Sequence, residues 1–204
     1  MRSSKLITIR ATQQQDLDIV VGVHLKSFQG FFLSFLGFAF LKEFYAGILR
    51  DATGIHYLAE IEGKIQGFVA GTTQPAGFYR RLLAQRWWAF GLAAQPAVFK
   101  NPRIVPRLLC AFQKSAENAS LKDTATLMSI AVLPEAQGNG VGKALVEAFL
   151  FEAQRRGCRY VNLTTDAISN DAVNDFYQRQ GFHLARKFET PEGRLMNEYM
   201  IALE

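Results

Sequence analysis

The stretch Leu133-Pro134-Glu135-Ala136-Gln137-Gly138-Asn139-Gly140-Val141-Gly142-Lys143-Ala144 decides the fold. It follows an apolar run, residues 127–133, that is typical of a strand covered on both faces, and it precedes a helical pattern over residues 141–156. Its three glycines let the main chain turn without Cβ clashes, so consecutive N–H groups can point at one anion beside the positive end of the helix. The stretch therefore predicts a strand, a diphosphate-binding loop and a helix in succession.

Two better-known phosphate loops do not fit this stretch. A Walker A loop requires glycine six residues before the lysine and Ser or Thr after it, whereas the chain has Gln137 and Ala144 at those positions. A dinucleotide-binding G-x-G-x-x-G loop requires glycine where Lys143 stands. A third kind of loop, Gln137-x-x-Gly140-x-Gly142, remains.

The rest of the chain predicts one α/β domain, residues 1–204, in which a mixed sheet carries helices on both faces. Thr12 is expected to cap the first helix, and Glu62-Gly63 is expected to form a tight hairpin. The other predicted strands cover residues 6–10, 55–61, 64–73, 160–165, 183–189 and 195–203, and the other predicted helices cover residues 13–28, 31–49 and 170–180.

Residues 76–122, between the third and fourth strands, predict an inserted helical pair. The first helix is expected to bury an apolar stripe formed by Tyr79, Leu83, Trp87 and Phe90. Pro96 and Pro102 are expected to interrupt that helix before a second one begins. Residues 78–122 contain eight Lys or Arg against Glu117 alone, so peripheral contact with an anionic surface is one expected role of this segment.

The composition is that of an ordinary globular chain, with 204 residues of which 49% are hydrophobic and 20% charged. The two cysteines, Cys110 and Cys158, form neither a disulfide framework nor a metal-binding cluster, so no metal is expected. The longest apolar stretch, residues 31–41, is too short to span a membrane, and residues 1–9 do not resemble a signal peptide. These features predict a cytoplasmic protein.

The loop Gln137-x-x-Gly140-x-Gly142 resembles the acetyl-CoA loop of the GNAT superfamily, in which Arg or Gln is followed by two residues, Gly, one residue, and Gly or Ala. The segment Asn170-x-x-Val173-x-x-x-Tyr177-x-x-x-Gly181-Phe182 resembles the closing segment of the same superfamily, with valine where alanine is usual. The resemblance covers residues 126–203 well and residues 3–73 more loosely. It implies a GNAT-like acyl-CoA N-acyltransferase fold, acetyl-CoA as cosubstrate and a primary amine as acetyl acceptor.

The resemblance also implies residue roles. Backbone groups of the preceding strand would bind the pantetheine arm, loop N–H groups would hold the pyrophosphate, Asn170 would bind the arm and Tyr177 would lie near the sulfur. The implied cofactor-binding residues are Ile130, Ala131, Val132, Gln137, Gly138, Asn139, Gly140, Val141, Gly142, Lys143, Asn170 and Tyr177. Because negative charge builds on the carbonyl oxygen and then on the departing sulfur, an N–H at Val132 and a general acid at Tyr177 suit the reaction. The alternatives are a core aromatic at Tyr177 and a solvated helix residue at Lys143.

The sequence assigns no general base. The central strand offers only Ser129, and Glu60, Asp166 and His24 are the remaining candidates. In this superfamily the first two helices shape the acceptor pocket, so His24, Phe28 and Phe32 are expected to contact the acceptor.

The acceptor is expected to be a small molecule. The order of residues over 24–41 resembles GNAT proteins found among bacterial surface-polysaccharide and aminosugar enzymes, which favours an aminosugar over a polyamine or an amino acid. A protein N-terminus or lysine, and a non-catalytic acyl-CoA-binding module, are the alternatives. No nucleic-acid ligand is expected, because the chain lacks a regular arginine-rich recognition helix, and the chain is expected to be a monomer or a homodimer.

Overall fold

The computed structural model describes residues 6–28, 32–100, 123–191 and 193–204, apart from the side chains of residues 32, 85, 86 and 94–100. The strands are β1 (Ile7–Ala11), β2 (Gly54–Ile61), β3 (Lys64–Thr72), β4 (Thr124–Val132), β5 (Tyr160–Asp166), β6 (His183–Glu189) and β7 (Leu195–Ala202). The helices are α1 (Leu17–Ser27), α2 (Phe32–Phe35), α3 (Phe38–Arg50), α4 (Phe78–Lys100), α5 (Val141–Arg155) and α6 (Asp171–Arg179).

The seven strands form one mixed sheet in the order β1-β2-β3-β4-β5-β7-β6. Only the β4–β5 pair is parallel, and the other neighbours are antiparallel. The predicted hairpin between β2 and β3 is confirmed, and both turn residues, Glu62 (φ 53°) and Gly63 (φ 72°), adopt the positive φ that a two-residue type I′ turn requires. The mixed α/β architecture is therefore the predicted one.

The two central strands separate along their length. β4 and β5 pair only at Thr124–Tyr160, Ala125–Val161 and Thr126–Asn162, although β4 continues to Val132 and β5 to Asp166. Beyond Thr126 the two strands therefore diverge, and the sheet opens at its centre.

Helices cover both faces of the sheet, because alternate strand residues point to opposite sides. Phe68 and Ala70 of β3 pack with α1, α3 and α4, whereas Val69 between them packs with α5. On the second face, Val141, Leu145 and Phe149 form the inward stripe of α5, as the sequence predicts.

The beginning of the helical region differs from the prediction in two places. Thr12 does not cap α1, because its hydroxyl lies 2.6 Å from His56 Nδ1. A short 3-10 turn, Gln14–Asp16, precedes α1 instead, and Gln13 and Asp16 form the capping box of that turn. The helical pattern over residues 31–49 divides into α2 and α3 at Gly37, whose φ of 85° does not belong to a helix.

The inserted segment begins with α4, a single helix that continues past Pro96 to Lys100, so the predicted interruption at Pro96 is wrong. A proline has no N–H, so the backbone carbonyl of Leu92, four residues before Pro96, loses its helical hydrogen bond. Leu92 is 58% exposed, so water can reach this carbonyl and the helix continues. Three of the four residues of the predicted apolar stripe pack on the core, Phe90 fully and Tyr79 and Leu83 in part, whereas the prediction for Trp87 is wrong, because that ring is 71% exposed. Among the side chains of α4 that the structure describes, the buried ones are Phe78, Leu82, Ala89 and Phe90.

Close approach between α3 and α4 explains which side of α4 is buried. A Cβ on Gly47 of α3 would overlap Leu82 Cδ1, so the glycine leaves room for this leucine in its present position. The predicted second helix of the insertion lies in residues 101–122, outside the described residues. No helix in the described ranges has both the length and the hydropathy that crossing a membrane demands.

Candidate active site

The opening between β4 and β5 is the centre of a cleft of about 880 Å³. One wall is formed by β4 and the loop that follows it, the other by the end of β5 and by α6, and the α1 side closes one end with His24 and Phe28. Most of the residues predicted to bind a cofactor therefore line one cleft, although they come from distant parts of the chain.

The glycine-rich loop presents free backbone N–H groups to this cleft. Gly138 (φ 75°) and Gly140 (φ 83°) take left-handed conformations. No side chain caps α5, and its first helical hydrogen bond runs from the Ala144 N–H to the Gly140 carbonyl. The N–H groups of the first helical turn consequently have no intrahelical acceptor. Together with the positive end of the helix, they form a site suited to phosphate groups.

Two β4 residues direct their backbone polar groups into the opening. The Leu133 N–H donates to the Gln66 carbonyl over 2.8 Å, so residue 133 faces β3. Antiparallel strands alternate in this respect, so Ile130 and Val132 face away from β3, toward the side where β5 has separated. Ala131, which was predicted to bind cofactor with them, instead pairs with Phe68 and lies in the core.

A β-bulge shapes the same wall. Ala70 of β3 pairs with Ser129 and Gly71 pairs with Leu127, so Met128 is an extra residue on β4. A bulge bends a strand and changes the direction of its side chains, and bulges are common beside functional sites. Here it turns Met128 and Ser129 so that both line the cleft.

Tyr177 of α6 lines the cleft although its side chain is only 4% exposed. The rings of Phe176, Phe182 and Tyr199 surround it at centroid distances of 5.2, 5.6 and 6.4 Å. Burial raises the pKa of the Tyr177 phenol well above its usual value. No described residue forms a hydrogen bond with its hydroxyl, which therefore remains available to a ligand.

The other predicted cofactor-binding side chains differ in their positions. Asn170 lines the cleft and donates to the Asp166 carbonyl over 3.4 Å, without capping α6 through its side chain. Lys143 also lines the cleft, and its ammonium lies 3.7 Å from the Glu147 carboxylate in a well-exposed pair. Asn139 does not line it, because its amide turns back to the Ala136 carbonyl.

Two of the three predicted acceptor contacts, His24 and Phe28, stand at the α1 end of the cleft with ring centroids 4.7 Å apart. The side chain of the third, Phe32, lies outside the described part of the structure. Sequence reasoning missed Arg179 and Arg194, which also line the cleft. It also missed Tyr45, which is completely buried behind His24 and joins it to Ser129.

The carboxylates proposed as bases are both held by arginines. Glu60 of β2 accepts a hydrogen bond from Arg10 over 2.8 Å and does not line the cleft. Asp166 lines the cleft but forms a two-pronged ion pair with Arg194 at 2.7 Å. Neither carboxylate is a free proton acceptor in this arrangement.

Comparison with protein families gives one match: the sequence model described as the acetyltransferase (GNAT) family matches residues 25–182, more than half of the chain. The matched region contains both walls of the cleft, the glycine-rich loop and Tyr177. A search of curated protein sequences found no match.

Solved structures with the same fold cover nearly the whole chain. The ribosomal-protein-S18-alanine N-acetyltransferase of Escherichia coli has 19% identity and a TM-score of 0.61 over 98% of this chain and 95% of its own. A chimera of spermidine N-acetyltransferase SpeG from Vibrio cholerae and hSSAT has 15% identity and a TM-score of 0.63 over 98% and 96%. The yncA structure from Salmonella typhimurium, solved with its cofactor acetyl-CoA, has 13% identity and a TM-score of 0.62 over 97% and 94%.

Proposed function

The chain belongs to the acetyltransferase (GNAT) family, and from that premise we propose that it transfers an acetyl group to the primary amine of a small molecule, with an aminosugar as the leading acceptor. Acetyl-CoA is the acetyl donor in this family, and the protein is an N-acetyltransferase that uses it. The proposal concerns the acceptor and the roles of individual residues.

The position of the glycine-rich loop at the mouth of the opening between β4 and β5 carries the proposal. Free N–H groups at residues 138–143 suit a diphosphate. The outward-facing backbone groups of Ile130 and the N–H of Val132 suit an arm that contains amide groups, whereas the Val132 carbonyl accepts a hydrogen bond from the Ser27 hydroxyl over 3.3 Å. The residues present therefore fit acetyl-CoA.

The proposed chemistry follows from the groups that face the opening. Bound acetyl-CoA supplies a thioester carbonyl carbon for the amine to attack. The outward-facing N–H of Val132 would stabilise negative charge on the carbonyl oxygen. Tyr177 would donate its phenolic proton to the departing sulfur, and because burial raises its pKa, the phenol holds that proton until a strong acceptor forms.

The charges along the cleft favour a neutral or anionic acceptor. Among the described lining residues the basic side chains are Lys143, Arg179 and Arg194, and the single carboxylate, Asp166, is paired with Arg194. A polyamine carries several positive charges and would find no free carboxylate here. A nucleotide-linked aminosugar carries negative phosphates and one amine, and its sugar could pack on the apolar end formed by Phe28, Leu33 and Met128.

Two measurements on the purified protein test this function. Calorimetry with coenzyme A should give a saturable heat of binding, and thiol release from acetyl-CoA should be fastest with a nucleotide-linked aminosugar in a panel that also contains spermidine, amino acids and peptides. Release with peptides alone would make the protein a protein acetyltransferase. If the protein binds coenzyme A but releases no thiol with any amine, the alternative of a non-catalytic acyl-CoA-binding module is the one that remains.

The proposed contact with an anionic surface rests on the outer side of α4. Trp87 and Trp88 are 71% and 51% exposed, and Arg80 lies about two turns before them on the same exposed side. Aromatic rings beside basic residues suit the headgroup region of an anionic membrane. Flotation with anionic and neutral vesicles across a salt series tests this contact. A protein that never floats with anionic vesicles does not make it.

A further inference from the structure

Three polar side chains from three elements form a continuous hydrogen-bonded chain behind the acceptor end of the cleft. Nδ1 of His24, on α1, lies 2.6 Å from the hydroxyl oxygen of Tyr45, on α3. That hydroxyl oxygen lies 3.1 Å from Oγ of Ser129, on β4. Tyr45 therefore connects the other two residues.

Both ends of this chain reach the cleft, whereas its middle does not. His24 and Ser129 line the cleft, and Tyr45 is completely buried and does not line it. His24 is only 3% exposed, yet its Nε2 has no hydrogen-bonding partner among the described residues. A buried polar atom without a partner is rare in proteins, and a role toward a ligand is one physical reason to retain it.

The position of Ser129 is equally specific. It directly follows Met128, the extra residue of the β4 bulge, and it lies three residues before Val132, where the pairing between β3 and β4 ends. The bulge directs the hydroxyl toward the opening, where the proposed thioester carbonyl would be attacked. Ser129 is thus the polar end of the chain that lies on the strand carrying Ile130 and Val132.

We propose that Ser129, Tyr45 and His24 form a proton relay that removes the proton from the attacking amine nitrogen. This inference rests on the proposed acetyl transfer and adds the proton acceptor that the carboxylates do not supply. Ser129 contacts the amine and is a catalytic residue in this scheme, whereas Tyr45 and His24 act through it.

The proton balance is simple. In the accepting arrangement, Ser129 Oγ–H donates to Tyr45 and Tyr45 Oη–H donates to His24 Nδ1. As the N–H bond of the amine breaks, an O–H bond forms at Ser129, the serine proton moves to Tyr45, and the tyrosine proton moves to His24. The amine loses one proton and the departing sulfur gains one from Tyr177. The proton on His24 then returns through cleft water to the Tyr177 phenolate, so no other reactant is required.

The surroundings of His24 keep its imidazole neutral before the reaction. Burial lowers the pKa of His24 to about 4, and the groups packed against it are Phe28, Tyr45 and, beyond Tyr45, the neutral His56. A neutral imidazole has a free lone pair for the relay. Its weak basicity restricts proton transfer to the moment when bonding to the carbonyl carbon makes the amine nitrogen acidic, so the acceptor must bind as the neutral amine.

The relay is tested by cutting it in the middle. Tyr45→Phe removes one hydroxyl from a fully buried ring, and Ser129→Ala and His24→Gln remove the two ends. His56→Gln is the matched control, because His56 is another buried histidine with an unpartnered Nε2 and a pKa lowered to about 3, but it does not line the cleft. Each variant is assayed for thermal unfolding, coenzyme A binding, thiol release with the most reactive amine of the panel, and the solvent isotope effect in mixtures of H₂O and D₂O.

The expected result is a loss of kcat of about 100-fold in each relay variant, the range of general acid–base catalysis, with coenzyme A binding unchanged. The double variant Tyr45→Phe/Ser129→Ala should lose no more than the single variants, because the relay acts as one unit. The wild type should show a multi-proton isotope dependence that Tyr45→Phe lacks, and His56→Gln should retain both rate and isotope effect. An active wild type whose rate and isotope dependence survive in Tyr45→Phe overturns the relay, whereas a wild type inactive with every amine overturns the proposed function instead.

Discussion

Thr126 of β4 donates its hydroxyl to the side-chain oxygen of Asn162 of β5 across 2.6 Å, at the last position where the two strands pair. The amide nitrogen of Asn162 in turn donates to the buried Glu198 carboxylate of β7 over 3.0 Å. Three neighbouring strands are thus tied together at the apex of the opening. A second, smaller cavity of about 170 Å³ borders this apex and shares four lining residues with the main cleft: Leu127, Met128, Leu163 and Thr164.

Asn162→Ala should therefore destabilise the fold by about 1–3 kcal/mol. The Thr126 hydroxyl loses its acceptor, and the buried Glu198 carboxylate loses the donor to one oxygen and keeps only its ion pair with Arg186. Urea unfolding measures the change in the free energy of unfolding. Gln66→Ala, which removes a solvent-exposed hydrogen bond on β3, serves as control and should change stability by less than about 0.5 kcal/mol. Equal stability of the two variants would show that the apex contributes nothing.

Gly140→Ala should weaken coenzyme A binding. Gly140 has a φ of 83° where α5 begins, and an alanine there costs about 1–2 kcal/mol in the left-handed region and turns the following N–H groups away from the cleft. Calorimetry with coenzyme A should show a Kd raised about tenfold or more.

Gly157 provides the matched control for that change, because it has a φ of 84° at the other end of the same helix and does not line the cleft. Gly157→Ala should cost similar stability and leave the Kd for coenzyme A unchanged. If both alanine variants weaken binding equally, the effect comes from the stability of the helix and not from the loop amides.

Tyr177→Phe should lower kcat by about 100-fold or more while coenzyme A affinity stays within about twofold, since the phenol is assigned to proton donation and binding is assigned mainly to backbone groups. Tyr199→Phe is the control, because this buried neighbour does not line the cleft and its hydroxyl accepts a hydrogen bond from Gln178 over 3.2 Å. Thiol release at saturating acetyl-CoA compares the two. A Tyr177→Phe enzyme as fast as wild type removes the general acid from the mechanism.

Local sequence features predicted the loop, the strand before it and the helix after it because each depends on neighbouring residues. Glycine permits the left-handed turns at Gly138 and Gly140, and a helical period identifies the buried side of α5. The hairpin at Glu62-Gly63 is equally local. Such features do not require knowledge of the tertiary packing.

The relay residues could not be found in this way. His24 and Tyr45 are 21 positions apart, and Tyr45 and Ser129 are 84 apart, so no period or spacing connects them. Tyr45 resembled any other aromatic residue of an apolar helix until the fold placed its hydroxyl between the other two. The exposure of Trp87 was missed for a related reason, because apolar residues occur on more than one side of α4 and only the packing against the core shows which of them are buried.

The two buried histidines predict how stability depends on pH. Burial lowers the pKa of His24 to about 4 and that of His56 to about 3, whereas both titrate near 6.5 in the unfolded chain. Below pH 6.5 the unfolded chain therefore binds more protons than the folded one, so the free energy of unfolding falls as the pH falls. Between pH 6.5 and 5 each histidine contributes a loss of up to about 2 kcal/mol.

This loss can be separated from that of the carboxylates. Hydrogen bonds with Arg10 lower the pKa of Asp16, and Arg155 lowers that of Glu152 to about 2. These two carboxylates therefore reduce the free energy of unfolding only when the pH falls below the usual range of carboxylate pKa values. Urea unfolding at pH 7, 6 and 5 should thus show a steep fall in the wild type, about half of it in His56→Gln, and almost none in His24→Gln/His56→Gln. A wild type equally stable at pH 7 and pH 5 would mean that both imidazoles gain protons in the folded state, and His24 would then be charged before an amine arrives.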